Sequence, residues 1–227
     1  MQALKREVAQ LTSSHAVSHW SLYGENNSYN QQARERKRAF VAKHLEKIAP
    51  TNVWDIGCNT GEYSLLAAEF AAQVIALDAD ADSINRLYLH CKAHGLTRIL
   101  PLVSDVINPS PALGWGLGER QSLLDRGRAE CIIALALVHH LCLANNIPMA
   151  YIFALFAKLG ARHALIEFVP KTDPMAQGLL ANREDVYPWY NQQAFEKDAM
   201  VLFTIGERVE LEEGGRVLYW LIRRSDA

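Results

Sequence analysis

The chain has 227 residues, half of them hydrophobic, with 25 acidic and 23 basic side chains and a formal net charge of -2. That length suits one domain with a self-sufficient core, and the near-neutral balance excludes both a disordered chain and a polycation built around nucleic acid. No apolar run approaches the roughly 18 residues of a membrane span, and the opening MQALKREVAQLTSSH lacks the apolar core of a signal peptide, so a cytoplasmic location without membrane contact is expected.

In chain order, Ser13 to Asn30 is polar and aromatic, a loose lead-in, and Gln31 to Ala49 has helical spacing with a basic face (Arg34, Arg36, Lys37, Arg38, Lys43) stopped by Pro50. An alternation follows: Asn52 to Ile56 apolar, Glu62 to Ala71 helical, Gln73 to Leu77 apolar, Asp82 to His94 helical, Ile99 to Val103 apolar. This order of strands and helices predicts a parallel sheet. Val106 to Gly118, with two prolines and three glycines, reads as irregular, and Glu119 to Arg126 as a short helix. Cys131 to Val138 is a continuous apolar run suited to a central strand. Pro148 suits a helix's first turn, capped by Asn146 or Ile147, Gly160 ends that helix, and His163 to Phe168 is the fifth strand.

Val201 to Leu211 and Arg216 to Ile222 are strand-like runs joined by Glu212, Glu213, Gly214 and Gly215, a hairpin. The expected fold is therefore α/β: a doubly wound, mostly parallel seven-stranded sheet with a terminal antiparallel hairpin and helices on both faces. Residues 1–50 are read as a lead-in and helix that can cover the site, and 51–227 as the main domain. Cys58, Cys91, Cys131 and Cys142 are scattered, without a Cys-x-x-Cys pair, and read as buried thiols in a reducing compartment. His15/His19 and His90/His94 have spacing for one helical face, but no metal is assigned to either pair.

The chemistry concentrates in VWDIGCNTGEYS, Val53 to Ser64, where Gly57 and Gly61 mark the first strand-to-helix turn. In doubly wound sheets this turn contacts ligands at the carboxyl ends of the strands. A dinucleotide fingerprint would need glycine where Asn59 and Glu62 stand, and Asp55 would repel a pyrophosphate. A ligand with a cationic head reverses that penalty. Asp78 ends the second strand at the separation suited to ribose hydroxyls, and Asp105 and Val106 follow the third, where a carboxylate can accept from an adenine amine.

These residues resemble the class I, seven-stranded, Rossmann-like S-adenosylmethionine-dependent methyltransferases over roughly Arg36 to Arg223. ALALVHHL, IEFVPKTDPM and the Trp20, Tyr23, Tyr29 lead-in are similar to a subgroup related to nodulation-protein methyltransferases. The resemblance implies S-adenosyl-L-methionine as cofactor, held by Asp55, Gly57, Cys58, Asn59, Gly61, Asp78, Ala79, Asp105, Val106 and Leu135.

It also implies methyl transfer beside His139 and His140. His139 is the candidate base or only shapes the site, and His140 ties the loop. Glu167 is the third catalytic candidate, with a salt bridge to Arg162, Arg183 or the basic helix as the alternative. Trp20, Tyr23, Tyr29, Phe168, Lys171 and Arg183 are the candidate substrate wall, the aromatics acting as a lid or as staples for the N-terminal arm. The Asn/Asp-Pro-Pro-aromatic motif is missing after the fourth strand, which counts against methylation of bases, glutamine or DNA. The expected acceptor is a small or conjugated metabolite, methylated at oxygen, with nucleic acid disfavoured. A donor-binding partner without catalysis, or methylation of RNA or protein, are the alternatives.

Overall fold

The computed structural model describes Glu7 and residues 31–181, 184–211 and 215–225. Helix α1 (Gln31–Ile48) buries Ala33, Lys37, Phe40, Val41, His44 and Leu45, positions that fall on one face at three- and four-residue spacing. The chain then enters β1 (Asn52–Ile56), α2 (Glu62–Ala67), β2 (Gln73–Asp78), α3 (Ala81–His94) and β3 (Ile99–Val103). After a long irregular segment come β4 (Cys131–Ala134), a π-helical turn (His140–Ala144), α4 (Met149–Lys158) and β5 (His163–Phe168). Helices α5 (Pro174–Leu180) and α6 (Gln192–Leu202) precede β6 (Phe203–Glu210) and β7 (Val217–Arg223).

The seven strands form one sheet in the order β3-β2-β1-β4-β5-β7-β6. Pairing is parallel from β3 to β5, while β7 runs antiparallel to both β5 and β6. The strand order reverses between β1 and β4, so their carboxyl ends open a crevice of the kind where doubly wound sheets bind ligands.

Period-two alternation divides the core. Val53, Cys131, Ile133 and Leu165 pack with Phe40, Leu45, Leu66 and Leu87 on the face covered by α1, α2 and α3. Trp54, Ile132, Ala164, Ile166 and Phe168 pack with Phe153, Phe156 and Phe195 on the other. Among the described residues no helix is long and apolar enough to cross a membrane.

Several boundaries depart from the sequence reading. The fourth strand stops at Ala134 instead of Val138, because Ala136 takes φ +49° and turns the chain out of the sheet. Glu119 to Arg126 is not a continuous helix: it holds one 3-10 turn, Leu123–Asp125, and its Arg120 forms an antiparallel bridge with Leu113, closing a loop that carries another 3-10 turn, Trp115–Leu117. The bridge holds Arg120 in extended pairing, which a helix starting at Glu119 would break. Pro148 itself caps α4. Val201 and Leu202 close α6, and Asp173 and Asn191 cap two helices that the sequence reading did not propose, accepting from Met175 N and Ala194 N at 2.9 Å each. Glu212, Glu213 and Gly214 of the hairpin turn lie outside the described residues.

Candidate active site

Beneath the carboxyl ends of β1, β2, β3 and β4 lies a cavity of about 550 Å³. Its wall includes Asp55, Gly57, Cys58, Asn59, Asp78, Ala79, Asp105, Val106 and Leu135, the cofactor residues expected from the sequence with one exception. That exception is Gly61. Its φ of +88° caps α2, and a β-carbon there would sit 2.4 Å from Leu87 Cδ1. The glycine serves the close packing of α2 against α3 instead of opening the cavity. Gly61→Ala combines left-handed strain with overpacking and is expected to destabilise the fold by about 2 to 4 kcal/mol in urea denaturation.

Gly57, at φ +75°, comes within 3.0 Å of Leu137 Cδ1 at its missing β-carbon position, so the β1 turn and the β4 loop meet over the cavity floor. The Gly57 and Cys58 amides both donate to Leu77 O, at 2.8 and 3.0 Å, tying the turn to the end of β2. Asp55 is buried, and one carboxylate oxygen accepts from Ser64 Oγ at 2.6 Å. Burial, only partly opposed by that hydrogen bond, pushes its carboxyl up to about 7.

Asp78 accepts from the Asn59 amide through Oδ2 and from the Asp80 amide through Oδ1, each at 2.8 Å. Burial raises its pKa against the pull of these two amides. The two bonds fix the carboxylate's orientation, and its further lone pairs remain for ligand hydroxyls. Asp105 accepts from the Ile107 amide at 2.9 Å and stands exposed at the far rim. Burial also pushes the Cys58 thiol up, so this sulfur is an apolar wall element and no nucleophile.

The histidine pair is arranged differently from the expectation. His139 has no exposed surface, does not line the cavity, and neither ring nitrogen has a hydrogen-bond partner. Its ring lies 4.1 Å from that of His140, and burial with the neighbouring His140 holds its pKa well below the usual imidazole value. His140 does line the cavity, and burial with the nearby Arg216 lowers its pKa to about 4. The π-helical turn brings the second histidine to the wall and leaves the first behind it.

Glu167 also stands behind the wall. Oε2 meets Lys37 Nζ at 2.6 Å and Oε1 meets Arg216 Nη1 at 3.3 Å, and Arg216 in turn holds Asp173 at 2.7 and 3.1 Å. All four side chains are buried. The salt bridge to the basic helix is thus what the structure forms. Phe168, one residue on, points to the opposite face by strand alternation and packs on Tyr190 and Phe195 in the core. Lys171 pairs with Asp185 at 2.7 Å and donates to Tyr187 O, away from the cavity. Trp20, Tyr23, Tyr29 and Arg183 lie outside the described residues.

Several wall residues escaped the sequence reading, among them a lysine and a tyrosine. Lys37 reaches the cavity from α1, 5.2 Å from the Tyr63 ring centroid, and Tyr63 itself lines the wall. Three other basic residues of α1 face acids: Arg34 meets Glu62 at 3.1 Å, Arg38 meets Glu69 at 3.8 Å and Lys43 meets Glu207 at 2.7 Å, while Lys47 lies over the Trp220 ring at 4.4 Å.

No protein-family model matches the chain. It is similar to nodulation protein NoeA of Rhizobium meliloti (strain 1021), 37% identical over 177 residues that make up 78% of this chain and 37% of that protein. The chain thus spans little more than a third of that relative's length. Among solved structures it resembles the N-methyltransferase NodS from Bradyrhizobium japonicum WM9, in complex with S-adenosyl-L-homocysteine, with a TM-score of 0.63 and 16% identity over 99% of this chain and 98% of that one. It also resembles magnesium protoporphyrin IX methyltransferase (ChlM) from Synechocystis PCC 6803 with bound S-adenosylhomocysteine, with a TM-score of 0.60 and 17% identity, covering 89% of this chain and 91% of that one. Sheet order, terminal antiparallel pair and these alignments agree: the chain has the seven-stranded Rossmann-like fold of the class I S-adenosylmethionine-dependent methyltransferases.

Proposed function

We propose that this protein is an S-adenosylmethionine-dependent methyltransferase acting on a hydroxyl of a small or conjugated metabolite. The observation that carries the reading is the convergence on one cavity of Asp55, Asp78 and Asp105, at or just beyond the carboxyl ends of three neighbouring parallel strands. The cavity fits the donor's chemistry. Buried Asp55 suits an ammonium, the oriented carboxylate of Asp78 suits vicinal hydroxyls, and Asp105 with Val106 offers an acceptor and an apolar surface for a purine. The solved methyltransferases of the same fold, crystallised with S-adenosylhomocysteine, support it. When bound, the donor supplies an electrophilic methyl on a sulfonium.

Within this reading the protein contributes placement first. Holding a nucleophile in line with the methyl carbon removes much of the entropic barrier. His140, neutral near pH 7 and on the wall, is the group placed to take the acceptor's proton, a role that the sequence suggested for His139. His139 then supports the ring of His140 through a tilted ring contact.

Asp78→Ala is the direct test. Calorimetric titration with S-adenosylmethionine should show affinity lowered by about 30-fold or more, the loss expected for two charge-assisted hydrogen bonds. Unchanged affinity would remove the ribose assignment and most of this reading with it.

A further inference from the structure

The cavity has two ends of opposite chemistry. Asp78 and Asp105 lie at the ends of β2 and β3, on one side of β1, and the loop after β4 lies on the other. With neighbouring strands about 4.8 Å apart, the β3 and β4 ends are separated by roughly 14 Å. At the β4 end the wall is formed by Leu137, Leu141, Ala144 and Leu179, the last from α5, which packs on the π-helical turn. His140 and Asn145 are the polar side chains among them, and the Asn145 amide donates to His140 O at 2.9 Å, fixing the turn that presents the ring.

Charge is distributed unevenly as well. Asp55, Glu62, Asp78, Asp80 and Asp105 border the cavity, whereas Lys37 is the one lysine or arginine among its described wall residues, and Glu167 holds it at 2.6 Å. An anion brought to the β4 end would lose hydration against an aliphatic wall while facing this carboxylate field. A cation would lose hydration there too, and the acidic end would draw it away from His140.

We infer that the methyl acceptor is an uncharged molecule with an apolar body, seated on the aliphatic wall of Leu137, Leu141, Ala144 and Leu179 with its hydroxyl toward His140. The inference rests on the donor reading and adds the acceptor's class to it. In the reaction the acceptor oxygen bonds to the donor methyl carbon as the carbon–sulfur bond breaks, the sulfur keeps the bonding pair as a neutral thioether, and the hydroxyl proton passes to His140.

Ligand-observed saturation-transfer NMR on the 227-residue chain saturated with S-adenosylhomocysteine tests this with benzyl alcohol, benzoate and benzylamine as matched probes. Benzyl alcohol should bind about fivefold or more tightly than either charged probe. Leu179→Asp should weaken it by a similar factor, with S-adenosylhomocysteine affinity in the same samples changed by less than about twofold. Equal or tighter binding of benzoate or benzylamine, no binding of any probe to the loaded protein, or an unaffected Leu179→Asp variant each overturns the inference and leaves the donor reading standing. Failure of S-adenosylhomocysteine itself to bind overturns both.

Discussion

Replacing Glu167 by Gln is expected to destabilise the protein by about 3 to 5 kcal/mol, seen as a lowered urea midpoint at unchanged slope. The reason is the network in which Lys37, Glu167, Arg216 and Asp173 neutralise one another out of water, their side chains 6%, 0%, 3% and 2% exposed. Removing the Glu167 anion takes the buried 2.6 Å counter-charge from Lys37 and one of the two described carboxylates from Arg216. The network joins α1, β5, the start of β7 and the cap of α5, so its loss is felt in the fold before it is felt in any chemistry. Lys37→Met combined with Glu167→Gln should cost less than the two single changes added, because the buried lysine is removed together with the carboxylate it meets. A Glu167→Gln protein of undiminished stability that had lost turnover would instead make Glu167 a catalytic residue.

Asp55→Asn is expected to separate stability from ligand binding. The native carboxyl titrates near 7 against an ordinary value of 3.8, so between those values the folded protein binds more protons than the unfolded chain. The sign follows directly: stability from this group is fully present below about pH 4 and is lost as pH rises through 7, by an upper limit of about 4 kcal/mol from three pKa units. Asparagine still accepts from Ser64 Oγ but carries no charge, so the ligand-free variant should be more stable than the native protein at pH 8, by about 2 kcal/mol. Its affinity for S-adenosylmethionine should nevertheless fall by about 10- to 100-fold, since the ammonium loses its buried counter-ion. The native protein should release a proton on binding the donor below pH 7, measurable as a dependence of calorimetric heat on buffer ionisation enthalpy. Loss of stability at pH 8 together with full affinity would contradict the assignment.

Legibility in the sequence followed how strongly local physics constrains each element. Strands β1, β3 and β5 begin and end where their apolar runs do, because turn residues bound each run. Strand β4 was overestimated since no polar or turn residue marks its end: Ala136 adopts a left-handed conformation that composition does not announce. Asp173-Pro174 and Asn191 are recognisable helix caps, and they signalled α5 and α6 in a segment read only for its charged and aromatic side chains.

The donor-side constellation was readable because each of its acids sits at or just beyond the carboxyl end of a strand. The catalytic side was not, because a π-helical turn decides which of two adjacent histidines reaches the cavity, and sequence spacing carries no trace of it. Glu167 and Phe168 were both assigned to the site although strand alternation sends them to opposite faces, a rule the sequence did contain. Lys37 was hidden among the basic residues of α1, yet it falls in register with Ala33, Val41 and Leu45 on the buried face. That register was the available sign that it is not a solvated lysine.

A crystal structure of the protein with S-adenosylhomocysteine tests the central claim most directly. The account predicts the ligand beneath the ends of β1 to β4, its ammonium within hydrogen-bond reach of Asp55, its ribose hydroxyls on Asp78 and its adenine beside Asp105 and Val106. Ligand density elsewhere, or the amino-acid head turned away from Asp55, would contradict it.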